Sequence, residues 1–122
     1  MLRRKWHRFV QTRIWKMDIH PSARIAASAL IDRTWPKGVH IGAGVVIDEE
    51  AVVLTHDVVR GLFLDTRIGE RATLGPRSIV LPGVTVGKGA TVLAGSVVIR
   101  DVPDYATVAG NPARVVESAS ED

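Results

Sequence analysis

The feature that most constrains this chain is a six-residue repeat in its C-terminal half. From residue 68 onward an aliphatic residue returns at every sixth position, in the series Ile68, Leu74, Val80, Val86, Val92 and Val98. Asp104, the seventh position, breaks that rule. Small residues follow four places later, in the series Ala72, Ser78, Val84, Ala90, Ser96, Val102 and Val108. Six is a multiple of the two-residue strand period but not of the 3.6-residue helix period. The pattern therefore predicts one short strand and one corner per unit, with three units per turn of a solenoid.

The composition suits such a solenoid and excludes several classes of protein. Of 122 residues, 46% are hydrophobic but only 5% are aromatic, so the core must be built from Val, Ile, Leu and Ala. Because there is no cysteine, disulfides and Cys-ligated metals are excluded. No apolar run approaches the roughly 18–20 residues of a membrane span, and the N-terminus lacks the apolar stretch of a signal peptide. We therefore expect a single-domain cytoplasmic protein.

Positive charge is concentrated in the first 17 residues. Six Lys or Arg residues precede the first acid, Asp18, whereas the remainder carries ten basic and thirteen acidic residues. The net charge of +3 therefore gives little support to nucleic-acid binding by the whole protein. The apolar residues of this segment fall at helical spacing, and they are Leu2, Trp6, Phe9, Val10, Ile14 and Met17. We expect a helix that covers one end of the solenoid, and peripheral contact with an anionic membrane is the alternative.

The repeat begins near Ile19 but is interrupted twice before residue 68. The step from Ile31 to Ile41 is ten residues, and the step from Val53 to Ile68 is fifteen. About four residues are therefore inserted around 32–40, and a loop must leave the prism within 57–66. Insertions in solenoids gather on the functional face. We divide the chain into a basic N-terminal helix (1–17), a β-helix domain (18–116) and a flexible tail (117–122).

Histidine is the best candidate for a proton acceptor near neutral pH, because the chain lacks cysteine and a Ser-His-Asp order. His40 closes the first insertion and His56 stands at the mouth of the second, which ranks His56 somewhat higher. The histidine spacings are not those of metal ligands, so we expect no metal. The Gly-containing corners lack the features of a phosphate loop, and aromatic platforms for single-stranded nucleic acid are missing.

Residues 68–114 resemble the hexapeptide-repeat acyltransferases. The motifs that carry the resemblance are Leu81-Pro82-Gly83-Val84-Thr85-Val86-Gly87, Ala94-Gly95-Ser96-Val97-Val98 and Ala109-Gly110-Asn111-Pro112-Ala113-Arg114. The chain looks most like the branch of galactoside, maltose and nodulation-factor acetyltransferases and the capsule-type O-acetyltransferases. The resemblance implies an all-β fold, a left-handed parallel β-helix, although parallel crossovers are normally right-handed. It also implies a homotrimer with active sites between subunits.

The same resemblance implies roles for individual residues. His56 corresponds to the family's general base, which takes the proton of an acceptor hydroxyl while the oxygen attacks the thioester of acetyl-CoA. Asp32 and Asp57 are expected on the acceptor side. The positions implied for CoA are Pro76, Ala94, Arg100 and Arg114, and the two arginines are expected to meet the nucleotide phosphates. Two positions depart from the family, because Ile99 stands where a Thr is common and Glu117 stands where some relatives have a second Arg. These departures predict that CoA binds more weakly or that its phosphates are held differently.

The sequence thus predicts transfer of an acetyl group from acetyl-CoA to a hydroxyl of a saccharide or glycan precursor. Three alternatives stay open. A serine O-acetyltransferase shares the fold, base and donor but usually carries a long helical N-terminal domain, which seventeen residues cannot supply. A γ-class carbonic anhydrase shares the prism but binds zinc through three histidines. A non-catalytic β-helix scaffold would leave His56 without a role and would bind no CoA.

Overall fold

The computed structural model describes the backbone of residues 2–118 and the side chains of residues 5–118. The chain begins with helix α1 (Leu2–Phe9), which continues into a π-helical turn (Val10–Ile14), and a 3-10 turn follows at Pro36–Gly38. The strands are β1 (Asp18–Ile19), β2 (Arg24–Ile25), β3 (Leu30–Ile31), β4 (Val39–Ile41), β5 (Val46–Ile47), β6 (Val52–Val53), β7 (His56–Asp57), β8 (Leu62–Phe63), β9 (Thr66–Ile68), β10 (Thr73–Leu74), β11 (Ile79–Val80), β12 (Thr85–Val86), β13 (Thr91–Val92), β14 (Val97–Val98), β15 (Thr107–Gly110) and β16 (Ala113–Glu117).

Three parallel sheets form the faces of a prism. The first face has the order β1-β4-β9-β12, the second has β2-β5-β10-β13-β15, and the third has β3-β6-β11-β14. Consecutive strands pass from face to face, so that equivalent residues in the regular coils pair at a spacing of 18, as Leu74 does with Val92. The predicted solenoid with three strands per turn is confirmed.

The core is the predicted aliphatic column along the axis of the prism. Its members from Ile68 to Val98 are at most 2% exposed, and the small residues Ala72, Ser78 and Ala90 are fully buried beside them. Small side chains are needed there because successive coils stack closely. A Cβ added to Gly75 would lie 2.8 Å from the backbone nitrogen of Ala94 in the next coil.

The last coil departs from the predicted series. Val102 forms a bridge with Val86, which lies only 16 residues earlier, so the coil is two residues shorter than the others. Val102 and Val108 are therefore aliphatic core positions, and Ala106 takes the small-residue place. The prediction for Val102 and Val108 was wrong for this reason. Asp104 then falls on the exposed surface, where its carboxylate keeps its hydration instead of entering an apolar core.

The N-terminal helix lies beside the first coil with polar side chains toward the prism. Gln11 is 5% exposed, and Arg8 donates a 3.0 Å hydrogen bond to the carbonyl oxygen of Ala23. Burial lowers the pKa of Arg8. Most of the expected apolar stripe remains exposed, and the exposed fractions are 64% for Trp6, 48% for Phe9 and 58% for Ile14. The expectation that these three side chains cover the solenoid is therefore wrong.

Two residues near the end of the arm provide the cover instead. Met17 is buried in the core, and Trp15, which lies off the predicted stripe, packs against the same core. The regular helix also ends earlier than predicted, because residues 10–14 form a π-type turn. Such a turn holds more residues than an α-helical turn, so the residues after it lose the phase of the stripe.

The C-terminal segment turns back on the prism. The predicted turn at 110–112 ends the parallel coils, and β16 then runs antiparallel to β15. Glu117, which we assigned to a flexible tail, is the last residue of β16, and residues 119–122 of that tail lie outside the described residues. Within residues 2–118, no helix has the length and apolarity needed to cross a membrane.

Candidate active site

Both insertions leave the prism at the same edge, between its third and first faces. The first follows β3 and contains the 3-10 turn, and the second follows β6 and folds into the antiparallel hairpin β7–β8. Two fully buried threonines hold the bases of these loops. Thr55 Oγ1 donates to the carbonyl oxygen of Trp35 at 2.8 Å, and Thr66 Oγ1 donates to that of Leu54 at 2.6 Å. The predicted insertions therefore meet in one rigid cluster.

Within this cluster, Asp32 from the first insertion contacts His56 from the second. The Nδ1 atom of His56 lies 2.5 Å from Asp32 Oδ2, and the Asp32 residue is only 4% exposed. The same oxygen accepts the backbone N–H groups of Thr55 and His56 at 2.9 and 3.2 Å, and Oδ1 accepts that of Thr34 at 2.8 Å. Every carboxylate oxygen thus has a partner, as a buried charge requires.

The pKa of Asp32 is lowered from its ordinary value, and this is the net result of two opposing causes. Burial alone would raise that pKa, because it disfavours the charged form. The hydrogen bonds donated by the backbone of Thr55 and Thr34, and then by the side chain of His56, outweigh burial and favour the carboxylate. Asp32 is therefore ionised near neutral pH.

An ionised Asp32 determines which nitrogen of His56 can act as a base. A carboxylate only accepts hydrogen bonds, so Nδ1 must carry the proton in the neutral ring, and the lone pair lies on Nε2. Nε2 has no hydrogen-bond partner among the described residues, and the His56 side chain is 23% exposed. This is the arrangement of a histidine that accepts a proton at one nitrogen while a carboxylate fixes the other.

His40 offers a contrast with nearly the same exposure, 22%. Its Nδ1 lies 3.0 Å from Asp18 Oδ2 and its Nε2 lies 2.7 Å from Asp65 Oδ1. Both ring nitrogens are occupied by carboxylates of the same chain, so neither is available to a substrate. His40 ties three segments of the first face together.

The two acids expected on the acceptor side both contact other groups of the chain. The oxygens of Asp32 are turned to His56 and to backbone N–H groups. Asp57 accepts the backbone N–H and the Nε–H of Arg60 at 3.0 and 2.6 Å, and these bonds lower its pKa. Asp57 therefore closes the hairpin turn. The contact between Asp32 and His56, which lie 24 positions apart, was not predicted from the sequence.

Of the four expected CoA positions, the two arginines come together. Arg100 follows β14 and Arg114 lies on β16, and both line one cleft of about 230 Å³ together with Ile99, Pro112 and Ala113. The antiparallel return of β16 produces this cleft. Arg100 also lies on the same edge of the prism as His56, two coils further along.

Pro76 and Ala94 lie on a different edge, between the second and third faces. They occupy equivalent corners of adjacent coils, and the backbone N–H of Gly95 donates to the carbonyl oxygen of Pro76 at 2.9 Å. Within a single chain, these two positions therefore lie on a different edge of the prism from His56. Across the described residues, no group of three or more His, Cys, Asp or Glu side chains could hold a metal ion.

A larger cleft, of about 850 Å³, lies between the N-terminal helix and the first two coils. Its lining includes Trp6, Trp15, Arg24 and Arg33, and the Arg33 guanidinium lies 5.6 Å from the ring centroid of Trp15. None of the expected site residues lines this cleft.

Comparison with known proteins agrees with this fold. Residues 65–100 match the family model described as bacterial transferase hexapeptide (six repeats). A maltose O-acetyltransferase from Clostridium difficile 630 superimposes with a TM-score of 0.69 at 21% identity, over 85% of this chain and 70% of that chain. A galactoside acetyltransferase in complex with coenzyme A gives a TM-score of 0.61 at 20% identity, over 98% and 80%.

In sequence, the chain is similar to serine acetyltransferase 2 of Arabidopsis thaliana. The two are 39% identical over 119 residues, which is 88% of this chain and 34% of the relative. This chain therefore spans about a third of that relative's length.

The fold and these likenesses define a left-handed parallel β-helix built from hexapeptide repeats. The chain carries the bacterial transferase hexapeptide repeat over residues 65–100, and it shares its fold with the maltose and galactoside acetyltransferases.

Proposed function

We propose that this protein is an acetyl-CoA-dependent O-acetyltransferase whose acceptor is a hydroxyl of a saccharide or glycan precursor. The observation that carries the proposal is the pairing of His56 Nδ1 with the buried carboxylate of Asp32, which leaves Nε2 as a proton acceptor. Asp32 is thereby a positioning residue, and His56 is the catalytic base.

The chemistry that this arrangement supports is direct transfer. Nε2 of His56 takes the proton of the acceptor hydroxyl as its oxygen forms a bond to the thioester carbonyl carbon. The tetrahedral intermediate then collapses, the C–S bond breaks, and the proton on Nε2 passes to the departing thiolate of CoA. The imidazolium formed between these steps is stabilised by the adjacent Asp32 carboxylate. No acyl-enzyme is required.

The donor side rests on the two arginines that line the C-terminal cleft. Guanidinium groups match phosphate oxygens in charge and geometry, and Arg100 and Arg114 are both solvent-exposed there. Because strands in a sheet lie about 4.8 Å apart, two coils place the corner of Arg100 roughly 10 Å along the edge from that of His56. An extended donor can span this separation, with its phosphates at the arginines and its thioester near His56.

We further propose a homotrimer in the cytoplasm, with each site between two subunits. Pro76 and Ala94 lie on a different edge from His56, so a donor that meets all of them needs two copies of the chain. The tip of the β7–β8 hairpin also carries unusually exposed apolar side chains, with 80% of Val58 and 95% of Val59 accessible. A neighbouring subunit would cover such side chains.

A second candidate acceptor is serine, and one observation favours it. Two relatives that share 39% and 37% identity are serine acetyltransferases of Arabidopsis thaliana, although this chain covers only 34% and 31% of their lengths. The general base, His56, and the donor, acetyl-CoA, would be the same for both acceptors. Acceptor specificity in competition between L-serine and saccharides therefore separates the two candidates.

Calorimetric titration with CoA and acetyl-CoA tests the donor site. We expect about one CoA per chain, and we expect Arg114→Ala to weaken binding roughly 10- to 100-fold, the value of a charge-assisted hydrogen bond. Arg13→Ala is the matched control, because Arg13 is exposed and lies in the N-terminal arm, away from that cleft. Absence of CoA binding by the wild-type protein would refute the proposal in favour of a non-catalytic scaffold.

A further inference from the structure

We propose that the N-terminal arm, residues 2–17, docks this protein on a membrane surface that carries anionic lipids. The docking surface consists of the exposed side chains of Trp6, Phe9 and Ile14 with the surrounding cations. This inference does not depend on the acyl-transfer chemistry, because it rests on a different end of the molecule.

The first observation is that the helix buries polar side chains against the prism and leaves aromatic side chains exposed. The side toward the prism carries Gln11, which is buried, and Arg8, whose guanidinium donates to the carbonyl oxygens of Ala23 and His20. Phe9 and Trp6 nevertheless remain about half or more exposed, although Trp6 also borders the cleft between the helix and the prism. A helix that only capped the solenoid would bury its aromatic side chains, so this exposed stripe points to a partner outside the chain.

The second observation is the geometry of the aromatic pair. The rings of Trp6 and Phe9 are stacked, with centroids 5.7 Å apart and planes inclined by 21°. Together they form a continuous apolar platform. Indole rings favour the boundary between lipid headgroups and acyl chains, because they present an apolar body and one polar N–H.

The third observation is charge complementarity. The first 17 residues contain six Lys or Arg residues and no acid, and Lys5, Arg13 and Lys16 are exposed. The cationic surface continues onto the prism, because Arg24 and Arg33 line the cleft that begins at Trp6. Two acids, Asp48 and Glu49, also line that cleft, so the cationic excess comes mainly from the arm. Cations around an aromatic stripe are typical of helices that lie in an anionic interface.

The arm is fixed to the prism, so the platform has a defined orientation. Arg8 bonds to the carbonyl oxygens of His20 and Ala23, and the Met17 side chain is buried in the core of the prism. A second copy of the chain is a poorer occupant for this surface. Packing arm against arm would bring two strongly cationic segments together, and such like-charge contacts are unfavourable.

Vesicle flotation of the full-length protein tests the inference. We expect the protein to float with vesicles of phosphatidylcholine and phosphatidylglycerol, to stay unbound with phosphatidylcholine alone, and to lose binding as salt rises. The double variant Trp6→Ser, Phe9→Ser should lower the partition coefficient by about tenfold or more, because it removes the apolar platform. The matched control is Tyr105→Ser, since Tyr105 is 50% exposed and lies in the last coil.

The outcomes are decisive in both directions. Quenching of tryptophan fluorescence by lipids brominated on their acyl chains, lost in the Trp6→Phe variant, would place Trp6 at the interface and support the inference. Equal flotation of the wild type and the double variant would overturn it, and so would failure of the wild type to bind anionic vesicles. A change in oligomeric mass of the double variant by light scattering, without any effect on flotation, would assign the stripe to a second copy instead.

Discussion

The two halves of the β-helix use the same coil geometry and differ in what happens at their corners. After Thr66 the six-residue repeat runs without interruption to Val98, the inward residues are aliphatic, and the corners are short. Before Thr66 the repeat is interrupted twice. The first inserted segment contains Asp32 and ends at His40, and the second begins at His56. The regular coils therefore form a continuous stacked frame, and the proposed base His56 and its partner Asp32 lie where the repeat is broken.

The physical reason lies in backbone hydrogen bonding. In a regular coil, backbone N–H and C=O groups pair with the coils above and below, and the inward aliphatic side chains pack in one apolar core. Inserted residues lose those partners and must find others. Asp32 provides them, since its carboxylate accepts the N–H groups of Thr34, Thr55 and His56. The same carboxylate is then in position to orient the His56 ring.

The largest expected effect separates the two histidines of the interrupted half. His56→Ala should lower kcat by about 10²- to 10⁴-fold, because the proton acceptor is lost. His40→Ala is the matched control and should leave kcat within a few-fold of wild type, because both of its nitrogens contact carboxylates of the chain. Steady-state kinetics with an identified acceptor measures both. Equal losses in the two variants would contradict the assignment of the base.

The next effect concerns stability and should appear in the regular half. Leu74→Ala removes a fully buried core side chain and should cost about 2–5 kcal/mol in the free energy of unfolding. Leu62→Ala, in the β7–β8 hairpin, removes the same atoms from a side chain that is 41% exposed, and should cost less than about 1 kcal/mol. Urea denaturation of the two variants tests the contrast. Similar losses would mean that the hairpin belongs to the stabilising frame.

A smaller catalytic effect is expected from the residue that positions the base. Asp32→Asn should reduce kcat by about 10- to 100-fold while the KM for acetyl-CoA stays near the wild-type value, because the ring loses its orienting carboxylate. The pH profile of kcat should also move, since the imidazolium would no longer face a carboxylate. Asp57→Asn is the control, because Asp57 bonds to Arg60 and not to His56. An unchanged pH profile in Asp32→Asn would show a purely structural role.

The smallest effect is the acid dependence of stability. Because the pKa of Asp32 is lower in the folded protein than in the unfolded chain, ionised Asp32 stabilises the fold at pH values above the ordinary aspartate value of about 3.9. That contribution is lost as the pH falls from there through the lowered pKa of the folded state. The stability difference between wild type and Asp32→Asn should therefore shrink as the pH falls through this acid range. Thermal unfolding of both proteins across that range measures it.

The sequence was sufficient for the regular half, because a strict repeat determines both the inward positions and the pairing of coils. It failed at Val102 and Val108, because nothing in the local pattern reveals that the last coil is two residues shorter. It also failed for the N-terminal helix. Helical spacing showed that Trp6 and Phe9 share a face, but spacing does not determine whether that face meets the prism or the solvent.

The contact between Asp32 and His56 was within reach of the sequence but was not found. Ile31 pairs with Val53 in adjacent coils, so the residues after them, Asp32 and Leu54, are neighbours across the same corner. A polar residue immediately after an inward aliphatic, at the corner from which the next coil's loop departs, is the signal that could have identified the partner of His56. What the coil register cannot give is the direction of the hairpin, which brings the His56 ring back toward Asp32.

The proposed acetyl transfer from acetyl-CoA to a saccharide hydroxyl can be tested by product analysis with competing acceptors. The purified protein would be incubated with acetyl-CoA and a mixture of saccharides and L-serine, with thiol release followed and the acetylated products identified by mass spectrometry. We predict thiol release that depends on a saccharide, together with an O-acetylated sugar. O-acetylserine as the product, or no acetylated product despite demonstrated CoA binding, would contradict it.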